Sequence, residues 1–278
     1  MSTVRLEIEY DGTDLWGWAD QPSKRSVHGE LARALGTILR TPTALTVAGR
    51  TDRGVHAVAQ VASYEGEAPD LYGLNAVLPD DVAVRSALVL DVPFDARRMA
   101  TSRTYCFRLF TRRRPSPFGG RHALWWPYRL DEALLHACAD AVVGTHDFTA
   151  FTPTETQHVL FRRRIREAAW VRRGEWLELW IQGDAFMRHM NRILVGTMLE
   201  VAGGRRSLDD FLRLLQGAER PEAGMTLPPQ GLHLAGIGYP DAVGGDAVAP
   251  PGWGRPPWAT GDSEGPTPDT GKPSRWKS

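Results

Sequence analysis

Chemistry-bearing residue types concentrate in one short stretch, Gly49-Arg50-Thr51-Asp52-Arg53-Gly54-Val55-His56. Glycine, threonine and aspartate between two apolar runs are turn-forming types, and an aspartate there can hydrogen-bond its own backbone. The arginines on either side of Asp52 shift the balance toward function. They set an ionised carboxylate beside planar cations that suit phosphate, which fits catalysis on a nucleic acid. A free aspartic acid has a pKa of about 3.9, so no partner is needed merely to deprotonate it at neutral pH. Other catalytic signatures are missing: there is no G-x-S-x-G, no G-x-x-x-x-G-K-[ST], no H-E-x-x-H and no paired C-x-x-C. The eight histidines are scattered and each reads as a structural or surface imidazole. No cofactor and no metal is indicated.

A loop of this kind needs rigid elements to hold it. Residues 4–10 alternate as a strand and end in the turn Asp11-Gly12. Val27, Leu31, Ala34, Leu35 and Ile38 recur at helical spacing, with Ser26 placed to cap them. Residues 45–48 and 58–64 predict strands flanking the loop, followed by a short helix over 71–77 and a strand over 82–90. A second round has strands at 105–110, 165–171 and 176–182, a helix over 131–143 and a closing strand at 234–239. A longer helix is predicted from 185 to about 201, with Phe186, Met190, Ile193, Thr197 and Val201 on one stripe and Arg188 and Arg192 on its flank. Ser207 would cap one more. The pattern predicts an α+β fold of two similar α/β halves, 1–100 and 101–239, whose helices cover one face of mainly antiparallel sheets. Residues 240–278 hold eight prolines and seven glycines and predict a disordered tail. Trp253, Trp258 and Trp276 in that tail are weak candidates for anchoring a partner.

The 278 residues are 42% hydrophobic and 24% charged, ordinary proportions for a globular core. No apolar run approaches the roughly 18 residues of a membrane helix. The start, MSTVRLEIEY, lacks the layout of a signal peptide, so a cytoplasmic protein is expected. Cys106 and Cys138 are the only cysteines, which excludes a disulfide framework. The formal charge of +0 conceals segregation. Among 33 basic residues only Lys24, Lys272 and Lys277 are lysines. Residues 97–114 carry seven arginines and no acid, and residues 162–173 carry six against Glu167 alone. Such clustering points to a local anionic partner, with RNA or DNA leading and solvated strand edges as the plain alternative.

The segment GRTDRGVHAVAQV resembles the catalytic motif of the tRNA pseudouridine synthase A family. Six further blocks resemble that family in the same order between residues 4 and 239: EYDGTDLWGW, LNAVLPDDVAV, DARRMATSRTYCF, GTHDFTAF, AFMRHMNRILVG and QGLHLAGIGYP. The resemblance implies that Asp52 is the catalytic nucleophile and that Arg50 assists base flipping. It implies that Tyr105 stacks on the target uracil, that Arg192 pairs with Asp52, and that Leu232 lines the pocket. It further implies a pseudouridine synthase fold whose halves meet at a central cleft, a homodimer, and a tRNA substrate modified at uridines 38, 39 and 40 of the anticodon stem-loop. Three positions depart from the pattern: Arg53, Ala19 and Asp95 stand where a small residue, a glutamine and a histidine are usual.

Isomerisation to pseudouridine suits a carboxylate, because the detached sugar is electron-poor, as in glycosidases. Whether Asp52 bonds the ribose or first removes a sugar proton is open at this level. Arg192 is expected to hold the carboxylate through a bidentate contact, and the arginine runs to hold the RNA backbone. Arg103 and Arg192 are expected to lower the pKa of the Tyr105 phenol. Two other classes compete. A non-catalytic RNA-binding or chaperone protein would not need the carboxylate, and a metal-dependent nuclease would need clustered ligands that the sequence does not display.

Overall fold

The structure, a computed structural model, describes residues 2–156 and 158–259. Its strands are β1 (Thr3–Tyr10), β2 (Thr46–Val47), β3 (His56–Glu65), β4 (Val82–Leu90), β5 (Ser102–Phe110), β6 (Leu124–Trp125), β7 (Gly144–Asp147), β8 (Arg162–Arg173), β9 (Trp176–Gly183), β10 (Leu232–Gly238) and β11 (Ala247–Val248). Its α-helices are α1 (Val27–Leu39), α2 (Leu71–Val77), α3 (Glu132–Val142), α4 (Met190–Ala202) and α5 (Leu208–Leu214). Four of these helices begin where a side chain can satisfy free backbone N–H groups. Ser26 accepts from Gly29, Asp70 from Tyr72 and Gly73, Asp131 from Ala133 and Leu134, and Ser207 from Asp210. No helix among the described residues is long and apolar enough to cross a membrane.

The fold is α+β, and its strands form one sheet rather than two. The order is β4-β1-β3-β10-β5-β9-β8-β7, with β2 on β3, β6 on β5 and β11 on β10. Pairing is antiparallel except where β10 meets β3 and β5 meets β6. Strands from residues 1–100 occupy one end and those from 101–239 the other, and β10 joins them by pairing with both β3 and β5.

Strand alternation assigns each side chain to a face. Tyr105, Phe107, Leu109, Leu177, Leu179, Ile181, Leu232 and Leu234 point into the main core with the apolar stripes of the helices. Cys106, Trp180 and Ala235 point the other way and form a small second core with Trp253 and Trp258 packed on it. That reverse face also buries Glu178, which is held by Arg108 Nε at 2.9 Å, Trp180 Nε1 at 3.0 Å and Arg173 Nε at 3.3 Å. An unpaired carboxylate there would be costly, so these three donors are a condition of its burial.

Two expectations are corrected here. Residues 240–259 are not a disordered tail, and the rest of the expected tail, 260–278, lies outside the described residues. Residues 240–259 strap across the reverse face: β11 pairs with β10, and the Val243 carbonyl accepts from buried Arg5 Nη1 at 2.7 Å. The Trp253 carbonyl accepts from Arg108 Nη2 at 2.7 Å, and its ring lies 3.8 Å from the same guanidinium. Proline and glycine content signalled irregular backbone, while a few anchors between them suffice to order it. Trp276 lies outside the described residues. The second correction concerns α4, which begins at Met190 and not at 185. His189 takes a left-handed φ of 59° that breaks the helical path, so Phe186 and Arg188 belong to the preceding loop.

Ending the chain after Asp241 is expected to strip Arg5 of its carbonyl and uncover the second core. Loss of the buried Val243, Ala247 and Ala249 side chains should lower Tm by roughly 5–10 °C relative to the full chain. Thermal unfolding of the two forms checks this, and an unchanged Tm would contradict the packing of the strap.

Candidate active site

The 49–56 loop leaves β2 and enters β3 along the wall of a cleft of about 930 Å³ on the helix-covered side of the sheet. The cleft is lined by Gly49, Arg50, Thr51 and Asp52 of the loop, Arg103 and Tyr105 of β5, residues 185–191, and Leu232 of β10. A loop has no ladder to fix it, so its backbone must be tied by other means. The Ala48 carbonyl accepts from Arg103 Nη2 at 2.8 Å and Nε at 3.2 Å. The Gly49 carbonyl accepts from Gln60 Nε2 at 2.7 Å, and the Thr51 hydroxyl pairs with Tyr10 Oη at 2.8 Å. The Thr51 carbonyl accepts from the Trp18 N–H, and Val55 N–H donates back to the Asp52 carbonyl. Burial, ahead of its bonds to Thr51 and Gln60, pushes the Tyr10 phenol up to about 12, so it stays neutral within this network.

The segment running from Tyr10 to Trp18 presses against the back of the loop, and two glycines make that possible. A Cβ on Gly12 would collide with the Val55 carbonyl oxygen. Gly17, at φ +88°, would place a Cβ 2.6 Å from the Thr51 carbonyl oxygen. These contacts leave the Asp52 side chain 32% exposed, facing the cleft.

Around that carboxylate the nitrogen donors are loosely spaced. Arg192 Nη1 stands 3.9 Å from Oδ2, while its Nε donates to the Leu227 carbonyl at 2.7 Å. The expected bidentate contact is therefore a single long one, because the guanidinium is shared with a backbone carbonyl. His189 Nε2 lies 3.6 Å from the same oxygen. Burial holds the His189 pKa below the ordinary imidazole value against the upward pull of Asp52, with Arg192 and Arg188 adding to the depression. The resulting ring is neutral near pH 7.

Tyr105 is 8% exposed, and Phe186 meets its ring edge-on at 5.1 Å between centroids. Burial, followed by Tyr10 and Asp52, drives the phenol well above its ordinary pKa. Arg103 opposes this only weakly, so the expected lowering of that pKa is reversed: desolvation outweighs one nearby cation. Arg50 is exposed on the rim and also lines a neighbouring cleft of about 440 Å³ with Arg97, Ala19 and His28. Asp52, Arg50, Tyr105 and Leu232 all line the main cleft, and Arg192 reaches Asp52 from α4 without lining it.

Several of the clustered arginines turn inward. Arg103 donates to the carbonyls of Ala48, Arg97, Ala100 and Asp184 and so ties the loop to β5 and to the entrance of α4. Arg108 and Arg173 hold Glu178, Arg166 holds Asp184 at 2.6 Å, and Arg172 holds Glu132. The positions that departed from the family pattern also have local roles. Asp95 Oδ1 caps the N–H groups of Arg97 and Arg98, and the Arg53 guanidinium lies 3.8 Å over Trp16, with Lys24 4.1 Å from the same ring.

Sequence reasoning missed His189, Gln60, Tyr10 and Asn191. His189 and Asn191 flank Met190 in a block already noted, and only their three-dimensional proximity marks them. Asn191 is buried on the cleft wall, and its Oδ1 meets no hydrogen-bond partner.

Comparison with known proteins identifies relatives over most of the chain. The profile of a family described as tRNA pseudouridine synthase matches residues 138–240. A "tRNA pseudouridine synthase A" of Geobacter sp. (strain M21) is 39% identical over 248 residues, covering 87% of this chain and 100% of that protein. Proteins of the same name from Stenotrophomonas maltophilia (strain K279a) and Bacillus licheniformis are 37% and 36% identical, each over 85% of this chain and 94% and 98% of their own length.

The inward set of Arg103 predicts a stability effect that a surface arginine would not have. Arg103→Leu, which leaves the partly buried carbonyls of Ala48, Ala100 and Asp184 without that donor, should destabilise the fold by about 2–4 kcal/mol. Arg97→Ala, an exposed neighbour, should stay within about 0.5 kcal/mol. Urea unfolding measures both, and equal effects would contradict the clamp.

Proposed function

The chain belongs to the tRNA pseudouridine synthase A family, and we propose that Asp52 is the nucleophile with which it converts uridine to pseudouridine in the tRNA anticodon stem-loop. It is an enzyme of tRNA modification. The reaction breaks the bond between ribose C1′ and uracil N1 and forms one between C1′ and C5. A proton leaves C5 and one is gained at N1, so nothing is oxidised or reduced. The observation that carries the assignment is the Asp52 carboxylate itself, fixed on a tied loop and open to a cleft large enough for a nucleoside.

The remaining residues follow from what that carboxylate must do. As the glycosidic bond stretches, positive charge develops on the sugar, and the ionised carboxylate stabilises or captures it. Arg192 at 3.9 Å and neutral His189 at 3.6 Å steady the anion without neutralising it, which preserves its nucleophilicity. Taking the uridine out of its stack costs a few kcal/mol. Arg50 on the rim fills the vacated space, and the Tyr105 ring offers a stacking face worth roughly 1–3 kcal/mol. With its pKa raised, Tyr105 works as a neutral phenol, not as a phenolate base. Leu232 packs the apolar side of the pocket and Asn191 offers a buried amide to the base edge.

The substrate positions are uridines 38, 39 and 40, and the working form is a homodimer in which residues 1–100 and 101–239 act as the two halves of the cleft. The RNA backbone is gripped by exposed arginines of the two runs whose side chains have no hydrogen bond or ion pair among the described residues, among them Arg97, Arg113, Arg114, Arg162 and Arg164. No cofactor takes part.

Asp52→Asn is expected to abolish pseudouridine formation while tRNA affinity stays within several-fold. Asp52→Glu should fail as well, because a displacement of about 1 Å can cost ~100-fold. Substantial turnover by purified Asp52→Asn protein would overturn the assignment. For Tyr105, single-turnover rates at saturating enzyme should fall in the order wild type, Tyr105→Phe, Tyr105→Leu, with the larger step at leucine. Equal rates for phenylalanine and leucine would refute the stacking role.

A further inference from the structure

On the sheet face opposite the cleft three histidines meet: His56 at the start of β3, His233 in β10, and His122 in the loop before β6. One ring nitrogen from each lies within 4.8 Å of the other two. The His56 and His233 rings are stacked, 4.7 Å apart and 19° from parallel, and the His122 ring lies 5.0 Å from His56. His56 and His233 are each 2% exposed, whereas the His122 side chain is 45% exposed and leaves the group open to solvent ions. These rings take no part in the chemistry assigned to the cleft.

Two features distinguish the group from imidazoles packed as filler. His56 Nε2 is buried and has no hydrogen-bond partner, a costly state for either tautomer. The outer nitrogens are engaged instead. His233 Nδ1 lies 3.1 Å from the Gly231 carbonyl, and donation there leaves its Nε2 lone pair free. His56 Nδ1 is 3.1 Å from Asp11 Oδ1 and also 3.1 Å from the Gly12 N–H. The other Asp11 oxygen is 3.7 Å from His122 Nε2. An imidazole whose far nitrogen faces a carbonyl or carboxylate is the usual outer arrangement around a bound metal.

We propose that His56, His122 and His233 bind one zinc ion, which clamps β3, β10 and the loop before β6 together behind the Asp52 loop. Three imidazole nitrogens with a fourth position left to water match the ligand preference of zinc. Zn–N bonds of about 2.0–2.1 Å place tetrahedral ligand atoms roughly 3.4 Å apart. The three nitrogens, now within 4.8 Å of one another, close by up to about 1.4 Å on binding, with the half-exposed His122 swinging inward and the stacked His56 and His233 rings turning so that their in-plane lone pairs converge. Metal at His56 Nε2 selects the tautomer whose Nδ1–H donates to Asp11, at the cost of the Gly12 hydrogen bond. Because His56 follows Asp52 by four residues and His233 follows Leu232 directly, the ion would stiffen β10, which carries Leu232, and the start of β3, into which the Asp52 loop runs.

The test uses the full chain, stripped with EDTA and dialysed, and zinc chloride as the probe. Calorimetric titration with elemental analysis is expected to find one zinc per chain, and Tm should rise on zinc addition. Loss of outer-shell partners alone costs ~10–100-fold in metal affinity, so His122→Ala should bind ~100-fold more weakly or worse. Its metal-free Tm should match that of the metal-free wild type, since His122 is half exposed. His136→Ala, an exposed histidine on α3, should bind zinc as the wild type does. A wild-type chain that takes up no zinc, or a His122→Ala chain that binds within threefold of wild type, would overturn the proposal.

Discussion

A carboxylate that must act on a nucleotide has to be held still, yet it cannot be neutralised by the groups that hold it. The Asp52 loop meets this constraint by leaving the side chain and fixing the backbone. Arg103 takes the Ala48 carbonyl, Gln60 takes that of Gly49, and Tyr10 pairs with the Thr51 hydroxyl. The nearest groups, the neutral His189 ring at 3.6 Å and the Arg192 cation at 3.9 Å, stop short of close hydrogen bonds. Strong bidentate pairing would lower the energy of the anion before reaction as well as during it, and only interactions that strengthen in the transition state accelerate chemistry. One distant cation and a neutral imidazole beside a rigid loop are therefore the arrangement that the proposed nucleophile needs.

The same economy explains the arginines. A single residue type serves two ends because the guanidinium presents several donors in a planar fork. Turned inward, Arg103 ties four carbonyls and Arg108 anchors both Glu178 and the 240–259 strap. Turned outward, Arg113, Arg114, Arg162 and Arg164 stay available to phosphate. Charge segregation in the sequence thus reflects a buried framework as much as a binding surface.

Much of the fold was legible because local signals agreed with one another. Alternation marked β1, and Ser26 and Ser207 marked helix starts that their side chains do cap. The misreadings have physical causes. Hydrophobic spacing extended α4 back to 185, since spacing does not reveal the left-handed turn at His189. The strap beyond 240 looked unstructured because its order comes from contacts with Arg5, Arg108 and β10, all distant in sequence. Of the site, Asp52 stood out from its flanking residues alone, whereas Tyr105, Arg192 and Leu232 were nominated only through family resemblance. His189, Gln60 and the three-histidine group were invisible, because each matters through a neighbour that only tertiary structure supplies.

Everything proposed for the cleft depends on Asp52 isomerising tRNA uridines there. Pseudouridine mapping of tRNA from cells lacking the chain, complemented with either the wild type or Asp52→Asn, tests it most directly. Pseudouridine at positions 38, 39 and 40 is expected to be absent without the protein, to return with the wild type, and to stay absent with Asp52→Asn. Restoration by Asp52→Asn, or an unchanged map in the cells lacking the chain, would contradict it.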